Sequence, residues 1–220
     1  MDVRKLLPTG RIVDLTHTLI PGKELYVLDV SRRNERSGEE GDIMSSVYLW
    51  SHVGTHVEAP LHFLRSGCDT SGLTIEKLFG PAIVLDFRRK EVNEPISLAE
   101  IKAAGDIEVG DRVMIMTGRH TQYRTPQSHD RPYVMEEAMR WLVDDRKINC
   151  LGTDSSGFEV RGVTHYPDHR LLTRAGVPVL ECLTNLVELS RKRFFLIALP
   201  IPVQGLDAFP VRAIGIEPED

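Results

Sequence analysis

The segment from Ser51 to Phe63 reads SHVGTHVEAPLHF and places three histidines and one glutamate within eleven positions, with a glycine and a proline among them. Imidazole and carboxylate together suit zinc, manganese or iron better than calcium. On a helix, at about 100° per residue, His52 and His56 would share a face while Glu58 and His62 turned away from it. The intervening glycine and proline weaken a helix in any case. An extended chain alternates sides, and His52, His56, Glu58 and His62 all take one parity, whereas Val53, Thr55, Val57, Ala59, Leu61 and Phe63 take the other. A straight strand would still hold His52 and His56 about 13 Å apart, yet two ligands of one zinc each sit about 2.1 Å from the ion. The chain has to bend between them. Gly54 can adopt a backbone conformation closed to other residues, and Pro60 interrupts strand pairing before His62. The spacing thus predicts a kinked strand exit that gathers the four polar groups around one point, in preference to an antiparallel strand with one wet face.

A second cluster lies in HYPDHRLLTRAGVPVLE, residues 165–181. His165 and His169 flank a predicted helix start, and Glu181 sits in the apolar run VPVLECL, where an unpaired carboxylate is costly to bury. Glu181 therefore asks for a partner, either a cation or one of Arg161, Arg170 and Arg174.

The elements that must position these groups are short. RIVDLT near 11, IMSSVYLW near 43, PAIVLDF near 81, DRVMIMT near 111, INCLGTD near 148, VPVLECL near 177, FFLIALP near 194 and VRAIGIE near 211 read as strands, being apolar and rich in β-branched residues. Helices are predicted for Ser97–Gly105, opened by a capping box of Ser97 and Glu100; from Tyr133 through YVMEEAMRWLVDDR, with apolar residues at helical spacing; and from Asp168, as N-cap, to Gly176. Strands and helices alternate in the second half and strands dominate the first, which predicts a mixed α/β fold with added antiparallel strands.

With 220 residues, 41% of them hydrophobic, the chain is expected to form one domain, 1–220, around a substantial core. The net charge is -5, and the densest basic runs, RRNER at 32–36 and RKRFF at 191–195, are too short for a nucleic-acid surface. No stretch approaches the roughly 18 apolar residues a membrane span needs, and MDVRKLLPTG lacks the apolar core of a leader, so a cytoplasmic protein is expected. Cys68, Cys150 and Cys182 form no paired motif and are expected to be small buried hydrophobes.

The string HVGTHVEAPLHF resembles the HxGTHxDxPxH signature of the cyclase-like metal-dependent hydrolases, which include bacterial kynurenine formamidase and isatin hydrolase. DLTHTL, MTGRHTQYR, GTDSSG, HRLLTRAGVPVLE and GLDAFPVRAIGIEP agree in order along the chain. The resemblance implies a swivelling β/β/α fold with a mixed sheet, and a homodimer or homotetramer. It implies His52, His56 and Glu58 as ligands of a first divalent metal, zinc or manganese, with His169 and Glu181 completing a site for one or two ions. His62 would carry protons. Glu58 stands where the family usually has aspartate.

In that chemistry a divalent ion polarises a carbonyl and lowers the pKa of bound water toward 7, giving a hydroxide nucleophile, while a histidine moves the protons. The implied function is hydrolysis of non-peptide C–N bonds in small amides or cyclic amides, with a metal-dependent cyclase, lyase or lactonase as the alternative. The loop Leu19, Ile20, Pro21, Gly22 lacks the aromatic contact of kynurenine formamidases, and Trp50 and Tyr48 share the parity of the histidines. Asp154 or Ser155 is expected either to orient a ligand or to cap a loop. His17 is expected as a surface or packed histidine, and His120, His129 and His165 as bystanders to catalysis.

Overall fold

The computed structural model describes residues 10–35 and 42–218, with the side chains of Asn34 and Glu35 excepted. The reading of residues 1–9 as leaderless, and Arg36 of the run at 32–36, lie outside the described residues. Thirteen strands are present among them: β1 (Gly10–Asp14), β2 (Leu28–Glu35), β3 (Ile43–Leu49), β4 (His56–Glu58), β5 (Phe79–Asp86), β6 (Pro95–Ile96), β7 (Arg112–Met116), β8 (Tyr133–Val134), β9 (Cys150–Thr153), β10 (Val179–Glu181), β11 (Arg193–Ile197), β12 (Ala208–Pro210) and β13 (Ile214–Pro218). Nine form one mixed sheet in the order β1-β13-β11-β5-β7-β9-β10-β4-β12, parallel from β5 to β10 and antiparallel on both flanks. Strands β2 and β3 make a separate antiparallel pair. The mixed α/β expectation holds.

Alternation along the central strands builds two cores. Ile83, Leu85, Val113, Ile115, Leu151 and Val179 face one side, where they meet Ile101, Met139, Leu142 and Leu172. After a short helix α1 (Ile75–Leu78) that leads into β5, these last come from helices α2 (Leu98–Ala104), α3 (Glu136–Arg140), its π-helical continuation Trp141–Asp145, and α4 (Pro167–Arg174). Ala82, Val84, Met114, Met116, Cys150 and Leu180 face the other side against Val57, Phe194 and Leu196. No described helix is long and apolar enough to cross a membrane.

The capping box at Ser97 and Glu100 forms as expected. Three expectations are corrected. Tyr133 and Val134 do not open a helix: they pair with Pro95 and Ile96, and Met135 N–H donates to the Ile96 carbonyl at 3.0 Å, so the helix starts at Glu136. The N-cap of α4 is Tyr166 in left-handed conformation (φ 43°), with Pro167 at the first helical position and Asp168 inside the first turn. Cys68 is exposed, whereas Cys150 and Cys182 are buried as expected.

Candidate metal centre

The register of two strands puts the chemistry on one face. β10 pairs antiparallel with β4 so that Glu181 opposes His56 and Val179 opposes Glu58. Cross-strand partners share a face, so His56, Glu58 and Glu181 all emerge on the side where α4 packs, while Val57 and Leu180 enter the opposite core. Helix α4 buries Asp168, His169, Leu172 and Thr173, which brings His169 down onto the carboxylates. The predicted bend is present: Gly54 has φ +72°, and a Cβ there would run into the Leu19 side chain. Past Glu58 the chain turns into a 3-10 turn, Pro60–His62, which returns His62 toward the cluster.

Each imidazole is oriented by a partner on its far nitrogen. His56 Nδ1 lies 2.8 Å from the Gly54 carbonyl, His169 Nδ1 2.6 Å from Glu159 Oε1, and His52 Nε2 2.9 Å from Asp207 Oδ2. That leaves His56 Nε2, His169 Nε2 and His52 Nδ1 directed at the carboxylates. Fixing one nitrogen in this way is how proteins set the tautomer of a metal-ligating histidine. His52 Nδ1 is 3.2 Å from His56 Nε2 and 3.1 Å from Glu58 Oε1. His169 Nε2 is 3.2 Å from Glu181 Oε1 and 3.5 Å from Glu58 Oε2. Two ligands about 2.1 Å from one tetrahedral ion stand about 3.4 Å apart, so these separations fit a divalent cation. The five donors fall into two groups, His52–His56–Glu58 and Glu58–His169–Glu181, each with ligand atoms within 4.8 Å of one another; a third such group, His52–His62–Asp207, is the pair of imidazoles hydrogen-bonded to Asp207. Glu58 belongs to both of the first two, one oxygen to each. Its Oε2 is buried and has no hydrogen-bond donor, a costly state that a cation relieves. None of Arg161, Arg170 and Arg174 pairs with Glu181: Arg161 pairs with Asp130, and Arg170 donates to the His165 carbonyl.

The charges of the set are mutually adjusted. Burial alone would raise the Glu58 pKa, but the hydrogen bond from His52 and its other imidazole neighbours hold it well below the usual carboxylate range. Burial would likewise lower His52, and hydrogen bonds to Asp207 and Glu58 outweigh it, raising its pKa to about 10. His169 is lifted well above its ordinary value because the bonds to Glu159 and Glu181 overcome its burial. The pocket is built to hold positive charge. Asp207, bonded to both His52 and His62, stays far below the usual carboxylate range.

His62 stands apart from the two ligand groups. Its Nδ1 is 2.8 Å from Asp207 Oδ2, its Nε2 is 3.7 Å from Glu58 Oε1, and it lines the same cleft of about 880 Å³ as the cluster. Asp207 thus clamps two imidazoles at once. Nothing in the sequence spacing pointed to it, nor to Glu159 behind His169; the only local trace is that each is a carboxylate set among small and apolar residues, in GLDAFP and SSGFEV.

The other candidates separate clearly. Asp154 caps a loop, accepting from Thr117 N–H at 2.7 Å and Gly118 N–H at 2.8 Å, and Ser155 Oγ donates to the Gly157 carbonyl. His17 is packed, stacked on Tyr123 with ring centroids 4.4 Å apart. His120 lies 3.6 Å from Asp154, and neither it nor His165 lines the cleft. His129 does line it, bonded at 2.9 Å to Ser156 Oγ. Trp50 contributes an aromatic wall together with Tyr26, Phe63 and Tyr166, whereas Tyr48 is exposed and turned elsewhere. The sequence reading missed Tyr26, which comes from the segment before β2.

Residues 13–160 match the family described as "Putative cyclase". The kynurenine formamidase of Salinibacter ruber (strain DSM 13855 / M31) is 30% identical over 210 residues, covering 92% of this chain and 96% of that protein. Among solved structures, isatin hydrolase A from Ralstonia solanacearum superposes with a TM-score of 0.82 at 24% identity, covering 94% of this chain and 92% of that one, a likeness of fold. A predicted metal-dependent hydrolase from Bacillus stearothermophilus gives a TM-score of 0.77 at 27% identity, covering 94% and 98%.

Proposed function

The chain belongs to the Cyclase family, and from that premise we propose that it is a metal-dependent hydrolase acting on the C–N bond of a small amide or cyclic amide. The observation that carries this reading is the convergence of His52, His56, Glu58, His169 and Glu181 on the floor of an aromatic-walled cleft, beside a histidine that takes no part in either ligand group. His52, His56 and Glu58 would hold one zinc or manganese ion. Glu58, His169 and Glu181 would hold a second, since the two Glu58 oxygens serve different groups.

A bound divalent ion supplies Lewis-acid polarisation of the substrate carbonyl and acidification of water. The remaining chemistry belongs to the side chains. Asp207 accepts the Nδ1 proton of His62 and so presents Nε2, the basic nitrogen, to the cleft. His62 then takes a proton from the attacking water as the C–O bond forms and returns it to the nitrogen as the C–N bond breaks. Tyr26, Trp50, Phe63 and Tyr166 enclose a flat substrate and exclude bulk water around it.

We further place the enzyme in the cytoplasm as one domain per chain and as a homodimer or homotetramer. Three free cysteines accord with a reducing compartment. The cross-strand pair Val30 and Val47 on the β2–β3 hairpin is 44% and 58% exposed, an apolar surface that a second copy would cover.

The test is a hydrolysis screen of metal-loaded protein over N-formylkynurenine, isatin and simple lactams, run with His62→Ala alongside. Wild type should hydrolyse at least one class, with solvent oxygen entering the product. His62→Ala should lose roughly 10²–10⁴-fold in kcat at unchanged metal content. Equal activity of the variant on every accepted substrate defeats the assignment, and turnover without oxygen incorporation favours a lyase on the same residues.

A further inference from the structure

Arg131 is a buried cation in the cleft wall that the proton chemistry leaves unused. Two arginines are buried among the described residues. Arg112 lies across Gly80 within the sheet, but Arg131, 6% exposed, opens on the cleft. Its Nη1 donates only to neutral acceptors, the His129 carbonyl at 3.2 Å and Ser156 Oγ at 3.3 Å. Its Nε is buried with no acceptor at all. No described carboxylate pairs with it, whereas Arg124 pairs with Glu24 and Arg161 with Asp130. Glu159 is near enough for the charge of Arg131 to act on it but makes no contact, so the guanidinium is withdrawn from water with no ion pair of its own, a state that an anionic partner relieves.

Nη2 has no acceptor among the described residues either, and it is not shut off from solvent as Nε is. Gly157 has φ +114°, a conformation L side chains rarely adopt, and a Cβ there would stand 2.9 Å from Arg131 Nη2 and 3.3 Å from Glu181 Oε1. Arg131 and Glu181 therefore both pack closely against Gly157, where no side chain fits, and the guanidinium stands beside the carboxylate side of the candidate metal centre. Of the guanidinium fork it is therefore Nη2, with its two N–H donors, that can meet a carboxylate oxygen.

We propose that Arg131 is the carboxylate-binding residue of the cleft, holding a carboxylate of the ligand on its unfilled Nη2 beside the histidine–glutamate cluster. The proposal rests on the hydrolase reading for the origin of that group. The carboxylate is either carried by the substrate or created at the scissile carbonyl, where water oxygen joins carbon, the C–N bond breaks and the nitrogen leaves protonated. Both sources present the same two oxygens. Arg131 then selects substrates that bear or generate an anion, and Ser156 and His129 fix its angle.

The experiment uses full-length, metal-loaded protein with benzoate and the neutral benzamide as probes, read by calorimetry and Trp50 fluorescence. Arg131→Gln should weaken benzoate at least tenfold, leave benzamide within twofold and retain its metal; Arg131→Lys, keeping the charge but not the fork, should fall between. Independently of any variant's folding, benzoate should shift the Arg131 guanidinium N–H resonances of the wild type. Unchanged benzoate affinity in Arg131→Gln, or unmoved guanidinium N–H signals at saturating benzoate, overturns the proposal. Absence of hydrolysis on every amide would refute the hydrolase reading while leaving benzoate binding measurable. Kinetics on paired amides then assign the source. A KM increase confined to the carboxylate-bearing member points to the substrate, and an equal loss on both, with weakened product inhibition, points to the newly formed acid.

Discussion

Replacing Asp207 by alanine should disable the site although no ligand or proton carrier is touched. Asp207 Oδ2 lies 2.9 Å from His52 Nε2 and 2.8 Å from His62 Nδ1, and Ser51 Oγ donates to its other oxygen at 3.0 Å. Both imidazoles meet the same oxygen, so alanine removes the acceptor of each at once. Neither imidazole is then held to the tautomer that protonates the nitrogen facing Asp207. For His62 the proton is free to sit on Nε2, which removes the base. For His52 it is free to sit on Nδ1, the atom 3.1 Å from Glu58, which removes a ligand. Each lost charge-assisted hydrogen bond is worth about 1.5–3 kcal/mol, so kcat/KM should fall about 10²–10³-fold, some 3–4 kcal/mol of transition-state stabilisation. Rates measured over a metal titration separate the two routes: a lower kcat at full occupancy means that His62 was flipped. An affinity loss of about 10–100-fold that excess metal repairs means that His52 was. A variant within threefold of wild type at equal metal content would refute the positioning role.

Three further outcomes test the frame around the site. Gly54→Ala puts a side chain at φ +72° against Leu19; it should cost more than about 1 kcal/mol and reduce metal content, and an unchanged melting temperature with full occupancy would contradict it. Ser97→Ala removes the cap of α2 and should cost about 1 kcal/mol, a fall in Tm of about 2–4 °C, with kcat/KM intact because α2 does not line the cleft; a loss of activity would show coupling that the fold does not provide. His17 is held near pKa 4 by burial and by Arg124, so it is neutral in the fold, while the unfolded chain takes a proton near 6.5. Its contribution is complete above pH 6.5 and declines as pH falls toward 4. Tm against pH should therefore fall more steeply for wild type than for His17→Gln across that window, and parallel curves would remove His17 from the account.

The opening segment was legible because its information is local. Parity sorted His52, His56, Glu58 and His62 from Val53 and Val57, and distance demanded a bend that Gly54 supplies. Glu181 was only half legible: burial of a carboxylate in VPVLECL required a partner, but choosing a cation over Arg161, Arg170 or Arg174 needed the register of β10 against β4. Asp207 and Glu159 were not legible, since they reach His52 across 155 positions and His169 across 10 from loops without a period. The start of α3 failed for the same reason. Tyr133 has helical neighbours but is claimed by Pro95, 38 positions away, and a pairing at that distance overrides local propensity.

The central claim is that the five donors hold a metal on which hydrolysis depends, and the direct measurement is amide hydrolysis against bound metal in one preparation. Protein purified under metal-replete, non-chelating conditions should carry one to two equivalents of zinc or manganese, lose hydrolysis in proportion as a chelator removes it, and regain it on reloading. Fewer than half an equivalent at full activity, or a stripped protein as fast as the loaded one, would contradict the account.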